Sequence, residues 1–108
     1  MHKHMLAAAG TTDLVGAVAN EARLRILKSI EDKGLYISQI VNKTGLTRPS
    51  VVFHLGVLES AKVVNSHYMV LEAPNSPIGR AARVYTINQD VYQQALKELT
   101  ALVPGMKG

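Results

Sequence analysis

Two helix-forming stretches, "YISQIVNKTG" at residues 36–45 and "LTRPSVVFHLGVLES" at residues 46–60, are separated by almost nothing. The first ends on Gly45, the residue type that most readily takes left-handed backbone past a helix C-terminus. The second begins two residues later, with Thr47 as N-cap and Pro49 in the first turn, where a missing N–H costs no hydrogen bond. A linker as short as "TGLT" forces the second helix to leave the first at once, and a short, glycine-containing connection is the composition of a helix-turn-helix pair. Along the second helix Val51, Leu55 and Leu58 fall at i, i+4 and i+7, so one stripe of it is core.

The remaining segments fit around that pair. "TTDLVGAVA" reads as a short helix over 11–19, with Thr11 or Thr12 as cap and Asp13 near the positive end of the dipole. "NEARLRILKSIEDKG" predicts a core helix from the Asn20 cap to a stop at Gly34, with Ala22, Leu24, Ile26, Leu27 and Ile30 near helical spacing. In 36–45, Ser38 is the expected cap. After Lys62 the composition shifts to Val, Tyr, Ile and Thr, so "VVNSHYMVLEA" and "RVYTIN" read as strands. The intervening "PNSPIGRAA" is expected to be an extended, basic hairpin tip, since its two prolines and glycine suit neither strand. "NQDVYQQALKELTALV" closes the chain as a helix capped by Asn88 and ended by Pro104 and Gly105.

The expected fold class is therefore α+β and mostly helical: a winged helix-turn-helix with a two-stranded wing and a C-terminal helix. Residues 1–10 are expected to form a flexible N-terminus, 11–103 a single domain, and 104–108 a tail. A chain of 108 residues holds one modest core and not two.

Charge narrows the function. Residues 33–88 contain six lysines or arginines against two acids, while the rest of the chain balances six against six, so the net +4 sits wholly in the helix-turn-helix and wing. A basic middle with neutral ends suits a polyanion partner. There is no cysteine, which excludes disulfides, thiolate metal sites and cysteine nucleophiles and suits a reducing cytoplasm. The apolar runs are too short to span a bilayer, and "MHKHMLAAAG" is too weakly basic for a secretory signal, with a second methionine that leaves an alternative start open. No glycine-rich phosphate loop, metal-ligand spacing, paired carboxylates or nucleophile with a base is present, so the chain is not read as an enzyme and no cofactor is implied.

Three linked segments resemble one family. "ANEARLRILKSI", "ISQIVNKTGLTRPSVVFHLGVLESAKVV" and "GRAARVYTIN" are similar to the ArsR-type branch of winged-helix transcription regulators, with its "N-E-x-R-x-x-I-L" helix, its "P-[ST]-V-x-x-H-L-x-x-L" recognition helix and its "G-R-x-x-x-Y-x-[IL]" wing. The match runs from about residue 14 to residue 88. The resemblance implies a regulator that acts as a dimer on DNA. Two departures stand out. Inducer-binding cysteines are absent and the four histidines are scattered, so metal sensing is not carried over. Val52 and Phe53 replace the polar residues usual just before the motif histidine.

Under this reading the N-terminal part of the recognition helix reaches the bases, which makes Thr47, Arg48, Ser50 and His54 the DNA-binding candidates. Arg48 can grip a guanine edge or a phosphate, or be a plain surface arginine, and Thr47 also caps. For His54 a structural hydrogen bond across the helix-turn-helix is the favoured role. Lys43, Lys62 and the wing arginines Arg80 and Arg83 are candidates for phosphate or minor-groove contact, with Asn75, Ser76 and His67 as further phosphate ligands. Val52 and Phe53 leave three readings open: packing under the N-terminal helix of the same or a partner subunit, contact with thymine methyls, or a patch for another protein. The first is favoured, because a lone phenylalanine is more often core than ligand.

The first and last helices carry apolar faces with little chain left to cover them. Leu14, Val18, Val91, Ala95, Leu99 and Leu102 are therefore the expected dimer interface, and a two-fold dimer predicts a palindromic duplex site. The leading expectation is a dimeric, sequence-specific, cytoplasmic DNA-binding transcriptional regulator, with repression as the expected role, reading the major groove with helix 47–60 and the minor groove or phosphates with the 63–88 wing. The alternative is a winged-helix protein-interaction module that does not bind DNA specifically. No effector is named by the sequence.

Overall fold

A computed structural model of the protein describes residues 14–71 and 80–105. The expected cap at Thr11 or Thr12, Asp13, the wing tip with Asn75 and Ser76, and the N-terminal and C-terminal ends lie outside the described residues. Helix α1 is described over residues 14–18, followed by α2 (Glu21–Ile30), α3 (Ile37–Thr44), α4 (Arg48–Ser60), β1 (Val64–Leu71), β2 (Arg80–Ile87) and α5 (Gln89–Leu102). The expected order of elements is the observed one.

Local chemistry sets most boundaries. Asn20 Oδ1 accepts from Arg23 N at 3.0 Å and starts α2. Gly45 sits at φ +75° and donates to Val41 O, ending α3 as its left-handed cap. Thr47 Oγ1 accepts from Ser50 N at 3.3 Å, and α4 begins one residue later. Thr44 makes the turn compact, because its hydroxyl donates to Ile40 O and accepts from Leu46 N.

Three boundaries differ from expectation. Helix α2 ends at Ile30, not Gly34. Glu31, Asp32 and Lys33 are exposed and have no apolar side chain to hold another turn against the core. Leu35 instead exchanges two backbone hydrogen bonds with Tyr85, and this isolated bridge draws the chain onto β2. Secondly, α3 starts at Ile37, and Ser38 is exposed within it; the first-turn bond is made by Gln39 Oε1, which accepts from Tyr36 N. Thirdly, Arg80, Ala81 and Ala82 belong to β2 and not to the hairpin tip. Their register opposite Leu71, Val70 and Met69 extends the ladder to residues of low intrinsic strand preference.

The core lies where α2, α3 and α4 meet the base of the wing. Ile26, Leu27, Ile30, Ile40, Val51, Leu55, Leu58, Val63, Val64 and Tyr85 are buried together, with Leu35 at the bridge. The base of the hairpin is held in it, whereas Tyr68, Met69 and Val70 further out are exposed. Helix α5 returns along this core after Asn88 N donates to Val63 O, and Ala95 is its one buried residue.

Candidate nucleic-acid interface

The position of α4 follows from its sequence stripe. Val51, Leu55 and Leu58 are fully buried, so the helix presents the opposite face to solvent. That face carries Pro49, Val52, Phe53, Gly56 and Ser60, all exposed, with Arg48 at its start. Val52 is 50% and Phe53 63% exposed, so the favoured expectation that they pack beneath the N-terminal helix of the same chain is not met. They form instead one wall of an open groove of about 730 Å³ between α1 and α4, whose other residues include Gly16, Ala17, Arg23 and Val57.

His54 is half-buried and turned toward α2. Its Nδ1 lies 3.0 Å from Arg23 Nη1. Burial, and then the Arg23 charge, lower the pKa of His54 from its usual 6.5. The imidazole is therefore neutral at pH 7 and accepts the arginine proton on Nδ1, which assigns its own proton to Nε2. Arg23 also donates from Nε to Ala17 O at 2.6 Å and from Nη2 to Gly16 O at 3.4 Å, so one guanidinium joins α1, α2 and α4. In the unfolded chain His54 holds its proton up to the ordinary value, whereas the folded state releases it at lower pH. Between those values the unfolded state binds more protons, so stability is full above pH 6.5 and declines as pH falls toward the folded-state value. Denaturant unfolding at stepped pH should show this decline in the parent protein and a shallower one in His54→Gln.

On the other side of α4, Glu59 joins the helix to the wing. Arg83 Nη2 lies 3.1 Å from Glu59 Oε2, and Ser66 Oγ donates to the same carboxylate oxygen at 2.7 Å. Arg83 Nε donates to Ser66 Oγ, and the guanidinium stands 5.4 Å from the centre of the Tyr85 ring. Arg83 thus ties the wing to the recognition helix. Beside it, Arg48 with Tyr36, Ile37, Ser38, Ala81 and Ala82 lines a second groove of about 430 Å³ between the start of α3, the start of α4 and β2.

Lys43, Thr47 and Lys62 are exposed, Ser50 is half-buried, and His67 is exposed on β1. Arg80 enters β2 opposite Leu71, and its side chain lies outside the described residues. Lys62 has φ +68°, and Val63 N donates to Leu58 O across it. This is the left-handed site that normally closes a helix with glycine, and a lysine there costs about 1 kcal/mol of backbone strain. Of the expected dimer residues, Val18 and Ala95 are fully buried within the chain and have no surface left for a partner, because they fill the space over the helical core. Leu14, Val91 and Leu99 are half-buried, and Leu102 is 68% exposed.

Reading the sequence missed Arg23, Glu59, Ser66 and Tyr36 as parts of this surface. Arg23 alone had a visible signal, as the arginine of "N-E-x-R", but its role depends on α4 lying across α2.

Residues 20–66 match the model of the bacterial regulatory protein, arsR family. This segment, just under half of the chain, is similar to the helix-turn-helix of that family. Solved structures with the same fold include an ArsR-like transcriptional regulator from Rhodococcus sp. RHA1, 16% identical with a TM-score of 0.65 over 89% of this chain and 81% of that one. NolR from Sinorhizobium fredii is 21% identical, with a TM-score of 0.66 over 99% and 100%. The homodimeric winged helix-turn-helix DNA-binding domain of Mb0332 from Mycobacterium bovis, a possible ArsR-family regulator, is 23% identical with a TM-score of 0.63 over 94% and 87%. No curated protein matches the sequence. At these identities the structural likeness establishes the fold, a winged helix-turn-helix, and the matched segment is similar to that of ArsR-family regulators. Among the described residues no helix is long and apolar enough to cross a membrane, and no three His, Cys, Asp or Glu residues are grouped to hold a metal.

Proposed function

We propose that this ArsR-type protein is a dimeric, sequence-specific, cytoplasmic DNA-binding transcriptional regulator that represses by occupying a palindromic operator. The observation that carries the reading is the presentation of α4: its buried stripe is locked into the core while its first turn and outer face stand exposed beside Arg48. Thr47, Arg48, Ser50 and His54 lie at or near that helix start, the end that reaches bases when a recognition helix enters the major groove. For His54, Nε2 is the ring nitrogen that is not turned to Arg23. Lys43, Lys62 and Arg80 supply phosphate contacts, while Arg83, expected to do the same, is tied to Glu59 and holds the wing against α4. The strained backbone at Lys62 supports this, since glycine is the more stable choice there and lysine adds a charge. Dimerisation is assigned to Leu14, Val91, Leu99 and Leu102, the apolar residues of α1 and α5 that keep exposed surface. A two-fold pair of α4 helices then reads half-sites one DNA turn apart.

The primary test is fluorescence anisotropy of the full chain on a random-sequence duplex over a salt series. Affinity is expected to fall steeply with salt; no binding at low salt overturns the reading. Once a site is selected, Arg48→Ala is expected to cost about 1–2 kcal/mol and relax preference at one base pair. Arg80→Ala is expected to weaken all sequences alike and reduce the salt slope by about 1. Equal, sequence-independent losses for both would contradict that division of labour. The competing reading, a protein-interaction module, draws on the exposure of Val52 and Phe53 and predicts no salt-dependent duplex binding.

A further inference from the structure

We propose that Val52 and Phe53 read the 5-methyl groups of thymine, so that the middle of this recognition helix selects T·A pairs by apolar contact, beside the hydrogen bonds assigned to its first turn. The proposal rests on the DNA-binding reading above.

It follows from what the outer face of α4 lacks. From Pro49 to Gly56 the exposed residues are Pro49, Val52, Phe53 and Gly56, and none of their side chains carries a hydrogen-bond donor or acceptor. Base pairs differ in the major groove by donors and acceptors, with one apolar mark among them, the thymine methyl. A strip of side chains without polar groups has only that mark to read.

The two side chains are placed for such contact. The Phe53 ring meets His54 edge-on at 5.1 Å, and His54 is in turn held by Arg23, so the aromatic wall is braced from inside the chain. Gly56 follows one turn after Val52. A Cβ on it would meet nothing within 4 Å, so neither packing nor backbone conformation of the chain requires glycine there. Glycine in a helix interior costs about 1 kcal/mol relative to alanine, and what it provides at this position is room for a close external approach.

Charge selects the duplex over an apolar protein partner as occupant. The strip begins at Arg48, and Lys43 in the last turn of α3 and Lys62 just after α4 are exposed. Glu59, the one carboxylate on α4, faces the wing and is paired with Arg83. An apolar strip headed by a cation and without a free carboxylate on its helix suits a groove whose floor bears methyls and whose walls bear phosphates.

The experiment selects sites from a random duplex pool with the full chain, then compares the selected duplex with the same duplex in which deoxyuridine replaces thymidine. T·A pairs should be enriched in each half-site, and loss of two methyl contacts should weaken binding roughly tenfold. Val52→Ala/Phe53→Ala, at two exposed positions, should keep the parent's melting temperature and salt slope yet bind both duplexes equally. Salt-dependent binding with equal affinity for both duplexes by the parent chain overturns the proposal and leaves the regulator reading standing. A double variant that still prefers thymine also overturns it. Absence of any salt-dependent binding overturns both readings and turns the same strip into a protein-docking surface.

Discussion

Replacing Arg23 with methionine is expected to destabilise the protein by about 2–4 kcal/mol, although the side chain is only half-buried. Methionine keeps much of the apolar stem and removes three donors: to Ala17 O, to Gly16 O and to His54 Nδ1. Hydrogen bonds from a charged donor contribute about 1.5–3 kcal/mol each, less where water competes, so the sum is discounted. Two of the acceptors are carbonyls at the C-terminal side of α1, where backbone oxygens lack helical partners and a cation is favoured by the dipole. Loss of Arg23 leaves them to water and loosens the cover over Val18, which is fully buried. Thermal unfolding should register a drop of about 10 °C or more, at the several degrees per kcal/mol typical of this size. Amide exchange should rise over residues 14–19. His54 should also titrate at higher pH in the variant, since the guanidinium that helps to lower its pKa is gone. An unchanged melting temperature together with an unchanged His54 titration would show that the three bonds contribute nothing net.

Alanine at Gly34 is expected to cost about 2–3 kcal/mol, an overpacking effect at the upper end of the usual range. An added Cβ would stand 2.6 Å from Val84 Cγ1, 2.7 Å from Thr86 Cγ2 and 3.2 Å from Tyr85 O. Both methyls belong to β-branched side chains, which have few alternative rotamers, and the third neighbour is backbone. The clash falls where Leu35 exchanges hydrogen bonds with Tyr85, so relief requires the chain to lift away from β2. The 35–85 bridge should therefore lose exchange protection before the rest of the hairpin. Chemical denaturation should show a lower midpoint at an unchanged slope, and a midpoint equal to the parent's would mean that the wing base yields without cost.

Gly34 also marks the limit of sequence reading in this chain. A glycine after a basic residue at the end of an apolar helical pattern has the composition of a C-terminal stop, and Gly45 has the same appearance. Gly45 does act as the stop, at φ +75°. Gly34 lies past the end of its helix and is needed because β2 crosses it, a fact held in residues 84–86 and not in its own neighbourhood. Phe53 shows the converse. As the one phenylalanine it was expected inside, yet Val51, Leu55 and Leu58 occupy the inward stripe of α4 and helical geometry turns residue 53 outward.

What the sequence by itself determined is the set of elements and their order. Capping residues, a left-handed glycine, a proline in a first turn and the change from helical to strand composition each act within about four residues, so they can be read along the chain. The helix-turn-helix was legible for this reason, as was the basic bias of its surroundings. Only the tertiary structure decided which side chains remain available to a partner. Val18 and Ala95 proved buried, Arg83 proved paired to Glu59, and Arg23 proved to join three helices, each through a residue of another element. Burial and pairing are properties of surfaces brought together from distant parts of the chain, and periodicity within one helix does not specify what will cover it.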